Sequence, residues 1–120
     1  MIVPVDGAEL YYSKRGQGPV CLLPSAMGTE SYERQTAGLS ELLTLVYVDL
    51  RGGGRSKGDP ADLSFDRLAA DFEAVRSDVG AEQVLVLGHS IMGVLALEVS
   101  VILTGYRHTK HSLNLGRAIS

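Results

Sequence analysis

A chain of 120 residues, 45% of them hydrophobic, is long enough for one ordinary domain with a packed core. A net charge of −3 and a pI near 5.5 exclude the basic face that nucleic acid requires. Its one cysteine, Cys21, cannot form an internal disulfide, and no apolar run approaches the ~18 residues of a membrane span.

The chain opens on a hairpin pattern rather than a charged-then-apolar leader, so a cytoplasmic location is expected. Residues 2–5 and 10–13 read as two strands, and Asp6-Gly7 between them accepts the positive φ of a tight turn. Residues 16–19, Gly-Gln-Gly-Pro, form a loop. Residues 20–23 are a second apolar run and read as a buried strand, with Cys21 as a small buried hydrophobe. A turn over residues 24–28 ends it. Residues 30–43 carry helix formers at apolar spacing, weakened by Gly38, and are read as a helix.

Residues 44–49 form a third buried-type strand that runs into Leu50-Arg51-Gly52-Gly53-Gly54-Arg55-Ser56. This glycine run is not a phosphate cradle. A P-loop needs Gly directly before its Lys, but Ser56 precedes Lys57; a dinucleotide fingerprint needs Gly where Lys57 stands. It reads as a loop of unusual backbone angles, and the Asp49 carboxylate is expected to tie it down rather than to act in catalysis.

Gly58-Asp59-Pro60 is a turn, and Ser64 is a good N-cap with Asp66 near the helix start. Phe65, Leu68, Ala69, Phe72, Val75 and Val79 recur at three- and four-residue steps as one apolar face. Arg67, Asp71, Glu73 and Asp78 are expected to be solvated charges, and Gly80 to stop the helix.

Residues 84–87 are an unbroken apolar run, the pattern of a strand buried on both faces. Gly88-His89-Ser90 follows without a loop, and residues 91–103 read as a helix. A strand that turns into a helix through one Ser lifts its hydroxyl to the carboxyl end of a sheet, beside free N–H groups. After residue 103 the periodicity is lost. Residues 104–120 are expected to be an atypical, poorly ordered tail, foreign to the domain of residues 1–103, as after a frameshift or early stop.

The order strand hairpin, strand, helix, strand, helix, strand, helix implies an α/β fold. Its sheet is mostly parallel, with an N-terminal β-hairpin and helices on both faces in three layers. Gly88-His89-Ser90-Ile91-Met92-Gly93 resembles the nucleophile elbow of the α/β-hydrolase family, of the proline-iminopeptidase-like and esterase-like kind. Val48-Asp49-Leu50-Arg51-Gly52-Gly53-Gly54-Arg55-Ser56 is similar to a second family signature. The sequence departs from the family pattern at Met92, where a Gly is usual, and at Pro24-Ser25, where His-Gly is usual.

The resemblance covers the first half of that fold, apparently truncated after the elbow helix. It implies a serine hydrolase acting on carboxylic ester or amide bonds of a small molecule or short peptide. Ser90 would be the nucleophile, and the backbone N–H groups of Ile91 and Ala26 the oxyanion donors. Gly88, His89, Met92 and Gly93 would shape the elbow, with His89 in a packing role. The acid and base of a triad are not found in the chain, and no cofactor or metal is expected. The alternative is a non-catalytic fragment or interaction module. Lacking the strands that would flank it, the strand of residues 84–87 is expected to be an exposed edge that promotes self-association.

Overall fold

The computed structural model describes residues 1–25, 33–34, 36–62, 64–87 and 118–119. Strands β1 (Ile2–Val5) and β2 (Ala8–Gly16) form the expected antiparallel hairpin, with Gly7 at φ 78° in its two-residue turn. Then come β3 (Val20–Ser25), a 3-10 helix (Ala37–Glu41), β4 (Thr44–Asp49), helix α1 (Phe65–Val79), β5 (Val84–Leu87) and β6 (Ala118–Ile119). The sheet order is β1-β2-β4-β3-β5-β6. The hairpin joins it antiparallel through β2 and β4, while β4, β3, β5 and β6 run parallel. The result is a mixed, mostly parallel α/β sheet, as the element order implies.

Strands β3 and β4 are buried on both faces, and alternate residues of β3, β4 and β5 feed two cores. Leu22, Val46, Val48, Val84 and Val86 point to one face, where Leu68, Ala69, Phe72 and Val75 of α1 cover them. Cys21, Leu23, Leu45 and Tyr47 point to the other, packed by Leu43, Leu85 and Leu87. On that second face the Tyr47 hydroxyl meets the Thr36 hydroxyl at 2.7 Å. Helix α1 starts and stops where its sequence says: the Ser64 side chain accepts from the Arg67 N–H at 3.0 Å, and Gly80 takes φ 83° at the C-cap.

Several expectations need correction. The turn expected from residue 24 begins later, because β3 continues through Pro24 and Ser25. The bonds Thr44 N–H to Pro19 C=O and Leu50 N–H to Ser25 C=O show that odd-numbered β3 residues face β4. Pro24 therefore turns its missing N–H toward β5, where the described pairing ends at Leu22↔Val86.

The helix expected over residues 30–43 ends as a 3-10 helix at Glu41. Its last turn must meet the β2–β3 loop closely. A Cβ on Gly16 would lie 2.4 Å from the Ser40 carbonyl oxygen, and one on Gly18 would lie 2.3 Å from that of Leu42.

Phe65, placed on the apolar face of α1, is the first residue of the helix and is 45% exposed. Asp71, read as solvated, is buried and ion-paired, and Asp78 bonds the Tyr12 hydroxyl.

Of the tail, only Ala118–Ile119 lies among the described residues, and it adds a parallel strand beside Val86 and Leu87. This gives β5 neighbours on both sides, so among the described strands the outermost one on that side is β6 and not β5. The covering is short: Val84 and Leu85 have no β6 partner in the described register. Among the described residues no helix is long and apolar enough to cross a membrane.

Candidate active site

The parallel strands all present their carboxyl ends at one edge of the sheet. Ser25 ends β3 and Asp49 ends β4 as register partners, and Leu87 ends β5 two strands from β4. In an open parallel sheet this edge is where ligand-handling loops gather. Gly88, His89, Ser90, Ile91, Met92 and Gly93 follow β5 directly in the chain, and Ala26 follows β3. All seven lie outside the described residues.

The loop of residues 50–56 is described in full, and it is fastened at every side. The Asp49 side chain is buried, and its Oδ2 accepts the Arg55 N–H at 2.9 Å, the tie that strand-end carboxylates commonly make. Among the described residues Asp49 Oδ1 has no hydrogen-bond partner. Gly54, at φ 51°, rests on this carboxylate, and a Cβ there would lie 2.5 Å from Oδ2. The Ser56 hydroxyl donates to the Asp49 C=O at 2.6 Å and accepts from the Tyr11 N–H at 2.8 Å. Arg55 lies over the Tyr11 ring, 4.8 Å from its centre, and donates to its hydroxyl at 2.8 Å. Lys57 exchanges backbone hydrogen bonds of 2.8 and 3.2 Å with Glu9. The β hairpin thus braces the loop from below.

Arg51 locks the loop to the helix layer. Its side chain is wholly buried, and it donates to both carboxylate oxygens of Asp71, at 2.9 and 2.7 Å. The same guanidinium reaches Asp62 Oδ2 at 3.2 Å and the Asp6 C=O at 3.1 Å. Hydrogen bonding to Asp71 raises the Arg51 pKa further, with burial pulling the other way. The sequence reading missed this pair. A signal for it was present: Leu68, Asp71, Phe72 and Val75 stand at i, i+3, i+4 and i+7, so helical spacing puts Asp71 on the buried face.

This loop holds a charged network but no described nucleophile, since the Ser56 hydroxyl is committed on both sides. Among the described residues no group of three or more His, Cys, Asp or Glu side chains is arranged to hold a metal ion.

Comparison with known proteins agrees with this architecture. No protein-family model matches the chain. "Putative carbamate hydrolase RutD" of Azorhizobium caulinodans is 31% identical over 96 residues, 78% of this chain and 36% of the relative. The AB hydrolase superfamily protein YclE of Bacillus subtilis is 33% identical over 97 residues, 78% of this chain and 34% of the relative. Among solved structures, a proline iminopeptidase-related protein of Thermus thermophilus superposes with a TM-score of 0.75 at 30% identity. That match covers 84% of this chain and 39% of the neighbour. The chain thus has the fold of the α/β-hydrolase family, and it spans about a third of the length of the curated relatives it matches. By resemblance to relatives named as hydrolases, it is a hydrolase-fold chain.

Proposed function

We propose that this chain carries the nucleophile of a serine hydrolase that cleaves carboxylic ester or amide bonds. Ser90 attacks the carbonyl carbon of the substrate. The carbonyl oxygen becomes an oxyanion, and the backbone N–H groups of Ile91 and Ala26 stabilise it. Gly88 and Gly93 keep the turn tight, while His89 and Met92 pack around it. The base that takes the Ser90 proton, and the acid that orients that base, are not assigned to this chain. Residues 1–103 form the hydrolase-like unit in this reading, and the tail of residues 104–120 adds β6 to it.

One observation carries the reading. Strand β5, inside the parallel sheet, ends at Leu87, and Gly88-His89-Ser90 follows with no intervening residue. Strand β5 runs parallel to β3 and β4, so the chain leaves it on the edge where Ser25 and Asp49 end their strands, and Ser90 is three residues further on in sequence. Relatives named for carbamate hydrolysis and iminopeptidase relationship are consistent with acyl chemistry. No cofactor is needed for such attack.

The test is covalent labelling by a fluorophosphonate, which traps an activated serine. The folded chain should take up one equivalent, and Ser90→Ala should take up none. Undiminished labelling of Ser90→Ala would refute the assignment.

A further inference from the structure

Most arginines among the described residues are spoken for. Arg51, Arg67 and Arg76 pair with carboxylates, and Arg55 donates to the Tyr11 hydroxyl. Arg15 and Arg34 differ: both are exposed, and neither makes an ion pair among the described residues. The two line one open cleft of about 610 Å³, together with Glu33 and Ala37. That size lies within the roughly 300–1,000 Å³ of small-molecule sites.

The fold fixes both sides of this cleft. Arg15 is the register partner of Leu45, a residue of the second core, so Arg15 lies on the second face of the sheet. The segment around Thr36 is held to the same face by the bond between the Thr36 and Tyr47 hydroxyls. The Gln17 N–H donates to the Ser40 C=O at 3.2 Å, and the Ser40 hydroxyl donates to the Ala37 C=O at 2.7 Å. The end of β2 is thereby fastened to the 3-10 helix. Leu45 stands near the start of β4 and Asp49 ends it. At ~3.3 Å per residue, the strand puts about 13 Å between this region and the carboxyl edge.

We propose that this cleft binds a small molecule through a phosphate monoester. It is a second site, apart from the candidate active site, and it does not rest on the reading of Ser90. A guanidinium is a planar fork of donors that suits phosphate oxygens. A tetrahedral phosphate offers oxygens in several directions, so it can meet two forks carried by different elements. A carboxylate offers two oxygens in one plane. The Glu33 carboxylate repels a second anionic group, so the rest of the ligand is neutral or cationic. Both arginines are exposed, so binding is weakened by salt.

The experiment titrates phenyl phosphate into the full chain and follows the Arg15 and Arg34 side-chain N–H signals and the Ala37 amide by NMR. All three should shift and saturate together. Arg15→Gln and Arg34→Gln give up no ion pair among the described residues, and circular dichroism checks that both fold. Each should weaken binding about tenfold, the loss of one charge-assisted contact. Lys14→Gln is the control. Lys14 precedes Arg15 and partners Val46, a residue of the first core, so it lies on the opposite face. It removes the same charge from the same strand and should leave the affinity within about twofold, because solvent ions screen it from the cleft. Benzoate, the same ring with a carboxylate, should bind at least about tenfold more weakly than phenyl phosphate.

No saturable shift at millimolar phenyl phosphate would overturn the proposal. An equal loss in Lys14→Gln would also overturn it, because diffuse charge would then account for the binding. Benzoate binding as tightly as phenyl phosphate would refute the phosphate assignment.

Discussion

Arg51 and Asp71 stand 20 residues apart and meet through two parallel hydrogen bonds, deep between the β4 loop and α1. Their side chains are 0% and 2% exposed. Such a pair pins a loop to a helix in one geometry, because the planar guanidinium fork fits a carboxylate only edge to edge. Removing one partner leaves the other buried and uncompensated. Asp71→Ala should therefore cost about 3–5 kcal/mol, read as a lower urea midpoint. Replacing both residues by apolar ones of similar volume should cost less than either single change. A cost below about 1 kcal/mol for Asp71→Ala would show that the pair does not hold the loop.

Tyr12 supplies a pH dependence. Burial, then its hydrogen bond to Asp78 and the charge of that carboxylate, push its pKa from 10 up to about 12. The folded chain keeps the phenolic proton longer than the unfolded chain does. This contribution is complete below pH 10 and is lost as pH rises from about 10 to 12. Tyr12→Phe should flatten the fall in stability over that window. It should also cost about 1 kcal/mol at neutral pH, because Asp78 loses its donor. Alkaline unfolding curves that superpose for the two proteins would contradict this.

Two glycines with similar backbone angles should respond differently to alanine. Gly80 has φ 83° at the end of α1, and a Cβ there meets nothing within 4 Å. Gly80→Ala should cost only the left-handed backbone term of about 1–2 kcal/mol. Gly16 has φ 87°, and a Cβ there would lie 2.4 and 2.5 Å from the Ser40 and Leu43 carbonyl oxygens. Gly16→Ala should cost clearly more. Equal thermal midpoints for the two variants would sink the packing account of that corner.

Cys21 should be inert while the chain is folded. It lies on β3 between Leu45 and Leu85 in register, and burial pushes its thiol up to about 11. The thiolate is the reactive form, so both access and ionisation are withheld. Alkylation should proceed at the rate of unfolding, and denaturant should accelerate it sharply. Fast alkylation of the native chain would show that the second core is open.

The sequence made the strands legible wherever burial on both faces left an unbroken apolar run. Thr44–Asp49 and Val84–Leu87 are such cases, and Ser64 and Gly80 marked the ends of α1 for local chemical reasons. The errors came where tertiary partners decided the outcome. Pro24 reads as a strand breaker until its neighbours show that its missing N–H faces away from β4. Asp71 reads as solvent-facing until Arg51 arrives from another element to neutralise it. Ala118–Ile119 has no period long enough to announce a strand, and β5 supplies the pairing. At the candidate site, the tie between Asp49 and its loop was legible, because a carboxylate before a glycine run has backbone N–H groups within reach. Ala26 and the six residues from Gly88 to Gly93, which carry the proposed chemistry, lie outside the described residues.

The most direct measurement is therefore chemical. The intact folded chain is treated with a fluorophosphonate, digested, and the modified residue mapped by mass. The account predicts the adduct on Ser90, with Ser56 silent because its hydroxyl is held between Tyr11 and Asp49. An adduct on Ser25 or Ser56, or a folded chain that takes no label, would contradict it.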